Sequence, residues 1–157
     1  MATKTNAVRI VEQAGIPIQE RFYDYDEKDL NGMHAADAIG KNPEQVFKTL
    51  VARGAKTGIN VFCIPVCCEL DLKKAAKAAG DKNMELVAVR ELLGLTGYIR
   101  GGCSPVGMKK RYPTHFDETA LLCDEIAVSA GARGHQMLLP PEPLARRVDG
   151  NFVDLIL

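Results

Sequence analysis

The sequence predicts an α+β domain, and three observations carry that prediction. Helical and strand-like segments are interspersed without the regular strand–helix–strand rhythm of a parallel fold. Two neighbouring β-rich runs, VFKTLVAR and INVFCIPV, are joined by the loop GAKTG and read as a hairpin. No Ser-, Pro- or Gly-rich linker divides the 157 residues, of which 46% are hydrophobic and 25% charged, so a substantial core can form. The expected architecture is a single domain over residues 1–157, with a mixed, mainly antiparallel β-sheet or a partly closed barrel surrounded by helices.

The elements follow in chain order. Val8, Val11 and Ala14 recur at helical spacing, and Gly15 supplies a left-handed stop, so residues 5–14 are expected to be helical. IQERFYDYD alternates like a strand; residues 34–39 form a short helix ended by Gly40. Asn42-Pro43 has the form of an N-cap followed by proline at the first helical position, with Gln45 placed to complete a capping box. On the VFKTLVAR strand, Val46, Lys48 and Leu50 share one face, and Phe47, Thr49 and Val51 the other. Asp71 caps LKKAAKAAG, which ends at Gly80. ELVAV, GYIRGG, EIAVSAG and HQMLL are further strands, and PEPLARRVD is a helix opened by prolines.

Charge and cysteine usage exclude several classes of function. Twenty basic and twenty acidic residues cancel, so no global field holds a long polyanion, and any nucleic-acid contact must be a local patch. The start of the chain lacks the apolar run of a secretory signal, and nothing is apolar for long enough to cross a bilayer; a cytoplasmic address without membrane contact is expected. Five cysteines, an odd number in such a chain, argue against a disulfide framework. No metal site is expected: Cys63 and the pair Cys67-Cys68 have no second cysteine pair beside them, and His34, His115 and His135 are scattered.

Three features are candidates for chemistry. Lys48, flanked on its strand face by Val46 and Leu50, is either a solvated lysine at the sheet's edge or a pocket lysine that orients an anionic or carbonyl group. Thr49 points to the opposite face. The loop GGCSPVG permits unusual dihedrals at Gly101 and Gly102 and presents main-chain N–H groups, so it is either a tight connection or an anion-binding nest or oxyanion hole. Its spacing matches neither the phosphate-binding Walker loop nor the dinucleotide fingerprint. SAGARG, residues 129–134, is a third small, flexible turn with a cation, and turns of this kind are usually connections.

Taken together, VFKTL with Lys48, the loop from Gly101 to Pro105, the following KKR and SAGARG resemble the YbaK-type aminoacyl-tRNA deacylases, relatives of the editing insertion domain of bacterial prolyl-tRNA synthetases. The resemblance extends over nearly the whole chain, including NPEQVFKTL and ELDLKKAAKAAG. It implies cleavage of the ester joining a wrong amino acid to tRNA, most often cysteine from Cys-tRNA(Pro) or Cys-tRNA(Cys), with the substrate's own thiol assisting and with no cofactor. Lys48 matches the family's essential lysine, Gly101 and Pro105 its substrate loop, Ser129 a serine of its second turn, and Tyr23 and Thr49 its pocket lining. Gly102, Ser104, Gly131 and Arg133 join the expected substrate-binding set. Lys109, Lys110 and Arg111, with Lys73, Lys74 and Lys77, are the expected phosphate-binding rim for the tRNA acceptor end, unless they are simply a solvated surface. Prolyl-tRNA synthetase is the implied partner. One position departs from the pattern: where cysteine-specific members carry an aspartate three residues after the arginine of the second turn, this chain has Gln136. Two alternatives remain at this level, a non-catalytic tRNA- or synthetase-binding module and a deacylase for another small amino acid such as alanine. A third class, a small-molecule enzyme with Lys48 as a Schiff-base residue, follows from the lysine alone.

Overall fold

The computed structural model describes residues 4–157. In chain order the elements are α1 (Asn6–Gln13), β1 (Gln19–Phe22), α2 (Gly32–Ile39), β2 (Phe47–Gly54), β3 (Gly58–Pro65), α3 (Leu72–Ala79), β4 (Glu85–Leu86), α4 (Val89–Thr96), β5 (Thr114–Asp117), β6 (Ile126–Ala132), β7 (His135–Leu139), α5 (Pro141–Arg147) and β8 (Asn151–Val153). The strands form two sheets, one ordered β1-β7-β6 and the other β4-β2-β3-β5-β8. The first is antiparallel throughout; in the second, β4, β2 and β3 are antiparallel while β5 and β8 run parallel to β3. Between the sheets there is one isolated parallel bridge, Val46–Ala127, so the barrel alternative is corrected: the ladder does not continue around, and the architecture is a mixed α/β domain with two sheets.

Local signals place most of these elements. Thr5 caps α1 by accepting from Val8 N–H, and Asp71 caps α3 by accepting from Lys73 and Lys74. Left-handed glycines end α2 at Gly40 and α3 at Gly80. Helix α2 begins two residues before His34 because Asn31 accepts from Met33 N–H at 2.9 Å.

Three expectations are corrected. ELVAV contributes only Glu85–Leu86 as strand, because the Glu91 carboxylate accepts from Ala88 N–H and starts α4 there. GYIRGG is not a strand: Gly97 closes α4, and Tyr98 then sends its hydroxyl to Val106 O instead of pairing in a sheet. Asn42 caps only a short 3-10 turn, and Gln45 donates to Glu125 O at 3.1 Å, so the capping box does not form.

The core explains the placing of Lys48. Phe47 and Val51 of β2 join the main cluster with Val8 and Val11 of α1, Phe116 of β5 and Met137 of β7. The opposite face of β2 serves two smaller clusters: Leu50 packs with Phe62, Ile64 and α3, and Val46 with Ala36, Ala127 and Leu138. Lys48 lies between Val46 and Leu50 on that face and is half-buried, at the seam of the two clusters. No helix among the described residues is long and apolar enough to cross a membrane.

Candidate active site

The segment between α4 and β5 is held by its own short bonds. Gly102 N–H donates to Ile99 O at 2.9 Å, Ser104 Oγ accepts from Val106 N–H at 3.3 Å, and Lys109 N–H donates to Thr96 O at 3.0 Å. Gly101 is exposed with φ +87°, a region L side chains rarely adopt, and it lies against Leu30. Gly102 is buried, and a Cβ there would stand 3.1 Å from both Ala132 C and Arg133 N. Main chain therefore packs on main chain, and the loop meets the β6–β7 hairpin directly. Arg133 fastens the junction by donating through Nε to Arg100 O at 2.8 Å.

The SAGARG segment is mostly strand, with the turn itself confined to Arg133–Gly134. A bulge lies between Ser129 and Ala132, where Gly131 N–H donates to Ser129 Oγ at 3.1 Å and Gly131 packs on the Tyr98 ring. Strand β1 pairs with the other edge of β7, and Tyr23 N–H, just beyond it, donates to Gly134 O at 3.0 Å. A narrow cleft results, lined by Tyr23, Tyr25, Leu30, Asn31, His34, Gly101 and Arg133 among others. Its free volume is about 10 Å³, room for one water. Tyr23 and His34 face each other edge-on with ring centres 6.5 Å apart.

Lys48, on β2, is not among the residues that line this cleft. The isolated parallel bridge Val46–Ala127 ties the start of this strand to β6, with Lys48 two residues beyond it. Its charge is felt at Cys68, where burial and Cys67 push the thiol's pKa up and Lys48 pulls it down. Thr49 turns the other way, with its hydroxyl 3.7 Å from Cys63 Sγ in the main core. Ser104 is wholly buried and shapes its own loop, while Pro105 lines a different cleft.

That second cleft is far roomier, about 250 Å³, and shares no lining residue with the first. Pro105, Val106, Met108 and Tyr112 give it an apolar floor, and Lys110, Arg111 and Arg147 stand at its edge. Arg111 is paired with Asp149 at 3.0 Å, and Lys109 lies over Gly97. On α3, Lys74 is held by Asp154 at 2.9 Å and Ile156 O at 2.6 Å, while Lys73 and Lys77 are exposed.

The thiols near these loops are poor nucleophiles. Burial pushes Cys103 and Cys63 each up to about 12, which leaves little thiolate at neutral pH. Among the described residues no group of three or more His, Cys, Asp or Glu side chains is placed to hold a metal ion.

Sequence reasoning had no means of assigning Tyr25, Leu30, Asn31 and His34 to the cleft. The aromatic FYDYD run and the Asn31 cap are visible locally, but only the pairing of β1 with β7 brings them to Gly101.

A family model described as the aminoacyl-tRNA editing domain matches residues 33–146. The chain belongs to that family. It is 46% identical over 152 residues to an Enterococcus faecalis protein assigned by name as a Cys-tRNA(Pro)/Cys-tRNA(Cys) deacylase, covering 97% of this chain and 93% of the relative. Among solved structures, one titled as a trans-editing enzyme assigned to prolyl tRNA synthetase superposes with a TM-score of 0.81 at 25% identity, over 99% of both chains. Another, hypothetical protein APE2540, shares the fold with a TM-score of 0.85 at 19% identity, covering 95% of this chain and 97% of that one. The class of chemistry is accordingly aminoacyl-tRNA editing, and the protein is an enzyme of the deacylase type.

Proposed function

We propose that residues 1–157 act as one trans-acting editing domain that removes cysteine from mischarged tRNA, Cys-tRNA(Pro) or Cys-tRNA(Cys), in the cytoplasm. The observation that carries this reading is the main-chain contact of the Gly101–Gly102 loop with the Ala132–Arg133 turn, beside Tyr23. An aminoacyl ester is already activated, so the protein's part is placement and stabilisation of developing negative charge.

In this reading Lys48 anchors the ribose or phosphate of the terminal nucleotide, and main-chain N–H groups at Gly101 receive the carbonyl oxygen. The substrate thiol attacks its own carbonyl carbon: the C–S bond forms, the ester C–O bond breaks, and the thiol proton passes to the departing ribose oxygen. No protein nucleophile is required, in keeping with the raised pKa of Cys103. Tyr23, Ser129, Gly131 and Arg133 shape the surroundings, with Gly102, Ser104 and Pro105 holding the loop and Thr49 acting through its backbone. Lys109, Lys110 and Arg111 guide the acceptor end, and prolyl-tRNA synthetase presents the substrate.

A panel of Cys-, Ala-, Ser- and Pro-tRNA, with and without prolyl-tRNA synthetase, tests the assignment. The expected outcome is multiple-turnover loss of Cys-tRNA and retention of Pro-tRNA. Preferential loss of Ala-tRNA would replace cysteine by alanine, and binding without turnover would reduce the protein to a docking module.

A further inference from the structure

The turn that ends β3 carries two adjacent thiols. Cys67 is exposed, Cys68 is half-buried, and their Sγ atoms lie 3.8 Å apart, so the two side chains lie together. The other three cysteines are held back from reaction: burial pushes Cys63 and Cys103 each up to about 12, and burial with Glu44 and Asp124 raises Cys123. A thiol-reactive molecule arriving from solvent therefore meets Cys67 first, with a second thiol already beside it.

This turn is joined to elements of the candidate site on two sides. Val66 N–H donates to Val46 O at 2.8 Å and Cys68 N–H to Pro65 O at 3.0 Å, while Phe47 pairs with Pro65 and Lys48 with Ile64. The peptide between Cys67 and Cys68 is thus one hydrogen bond away from the rung next to Lys48, and the lysine's charge is felt at the Cys68 thiol. On the other side Val66 packs so closely on Gly32 that a Cβ there would overlap it. Gly32 begins α2, whose His34 and Ala35 line the narrow cleft.

We propose that Cys67 and Cys68 form a thiol–disulfide exchange site, which a low-molecular-weight disulfide closes to a bond between the two neighbours, slowing the enzyme. The Cys67 thiolate attacks one sulfur of R–S–S–R, forming a Cys67–S–S–R bond and releasing RS⁻. The Cys68 sulfur then attacks that of Cys67, the internal S–S bond forms, and the second RS⁻ leaves. Two protein thiols are oxidised, one disulfide is reduced to two thiols, and the protons given up by the protein end on the released thiols. Closure draws the sulfurs from 3.8 Å to about 2 Å and must twist the peptide that donates to Pro65 O. Neighbouring Cα atoms are about 3.8 Å apart, short of the roughly 4.4 Å at which ordinary disulfides begin, so the bond is strained and a reductant reopens it. The exchange is independent of what the protein hydrolyses; the effect on rate rests on the deacylase reading.

The test incubates the full chain with glutathione disulfide and follows intact mass, peptide mass and Cys-tRNA(Pro) cleavage, before and after dithiothreitol. Expected are the loss of two hydrogens confined to the peptide holding Cys67 and Cys68, a fall of about tenfold in kcat, and recovery of both on reduction. Cys68→Ser is expected to stop at a glutathione adduct on Cys67, and the Cys67→Ser/Cys68→Ser double variant to keep its untreated rate throughout. Wild type that stays reduced, or that holds a glutathione adduct without the internal bond, overturns the proposal, and this measurement decides even where a variant fails to fold. An internal bond that leaves kcat unchanged, or a double variant that slows as wild type does, overturns the control of rate. A protein that forms the bond yet cleaves no aminoacyl-tRNA in either state supports the exchange site and overturns the deacylase reading.

Discussion

The two clefts beside the 101–108 loop differ in almost everything that matters for chemistry. The roomy one is open, floored by apolar side chains, and edged by cations of which Arg111 is already neutralised by Asp149. The narrow one holds about one water, yet it has a left-handed glycine, a main-chain contact that would crowd a Cβ, facing aromatic rings and Arg133 in its lining. Volume measures what can enter; the close-packed junction measures what the fold has been made to hold in place. Catalysis by preorganised main chain asks for the second.

The largest effect that can break this contrast comes from Lys48→Ala. Deacylation of Cys-tRNA is expected to fall by about 10²–10³ while circular dichroism and melting remain those of a folded protein. Wild-type rates in that variant would remove Lys48 from the proposed site. Next in size is Gly102→Ala. A Cβ 3.1 Å from the Ala132 and Arg133 backbone must push loop and hairpin apart, at a cost of about 1–3 kcal/mol in stability. On the proposed function the neighbouring Gly101 N–H receives the developing charge, so single-turnover rates should drop by about tenfold to a hundredfold even at saturating tRNA. The smallest effect is expected at the roomy cleft, in the Lys110→Ala/Arg111→Ala double variant. The Arg111–Asp149 pair has side chains 72% and 78% exposed, so the unfolding free energy from denaturant titration should change by less than about 1 kcal/mol. Affinity for tRNA should weaken, with the salt slope reduced by about one for each phosphate no longer neutralised, while the rate of bound substrate is unchanged. A slope identical to wild type would make the roomy cleft a bystander.

Much of the fold could be read from residues that act locally. Asp71, Gly40 and Gly80 punctuate their helices as expected, and the hairpin of β2 and β3 follows from two β-rich runs and a glycine-bearing turn. Reading failed where a side chain's distant partner decided the matter. Glu91 starts α4 partly through its bond to Arg53, 38 residues away, and Tyr98 leaves the strand-like GYIRGG for Val106. The site divides in the same way. Gly101, Gly102 and Arg133 were legible because loop composition announces backbone freedom. His34 and Leu30 were not, since they reach Gly101 only after β1 has paired with β7. Gln136 was visible as a departure from a pattern, but that its buried carbonyl lacks a partner is a fact of three dimensions.

The direct seating of Gly102 on Ala132 and Arg133 also bears on how such an enzyme can change over evolutionary time. Donors that belong to the peptide chain are indifferent to most substitutions around them, so a junction of this kind is insulated from sequence drift. On the proposed function the amino acid is met by a floor of interchangeable side chains, Tyr23 and Ser129 among them. A lineage can therefore acquire a new editing target through single replacements on that floor, without reinventing the machinery that breaks the ester.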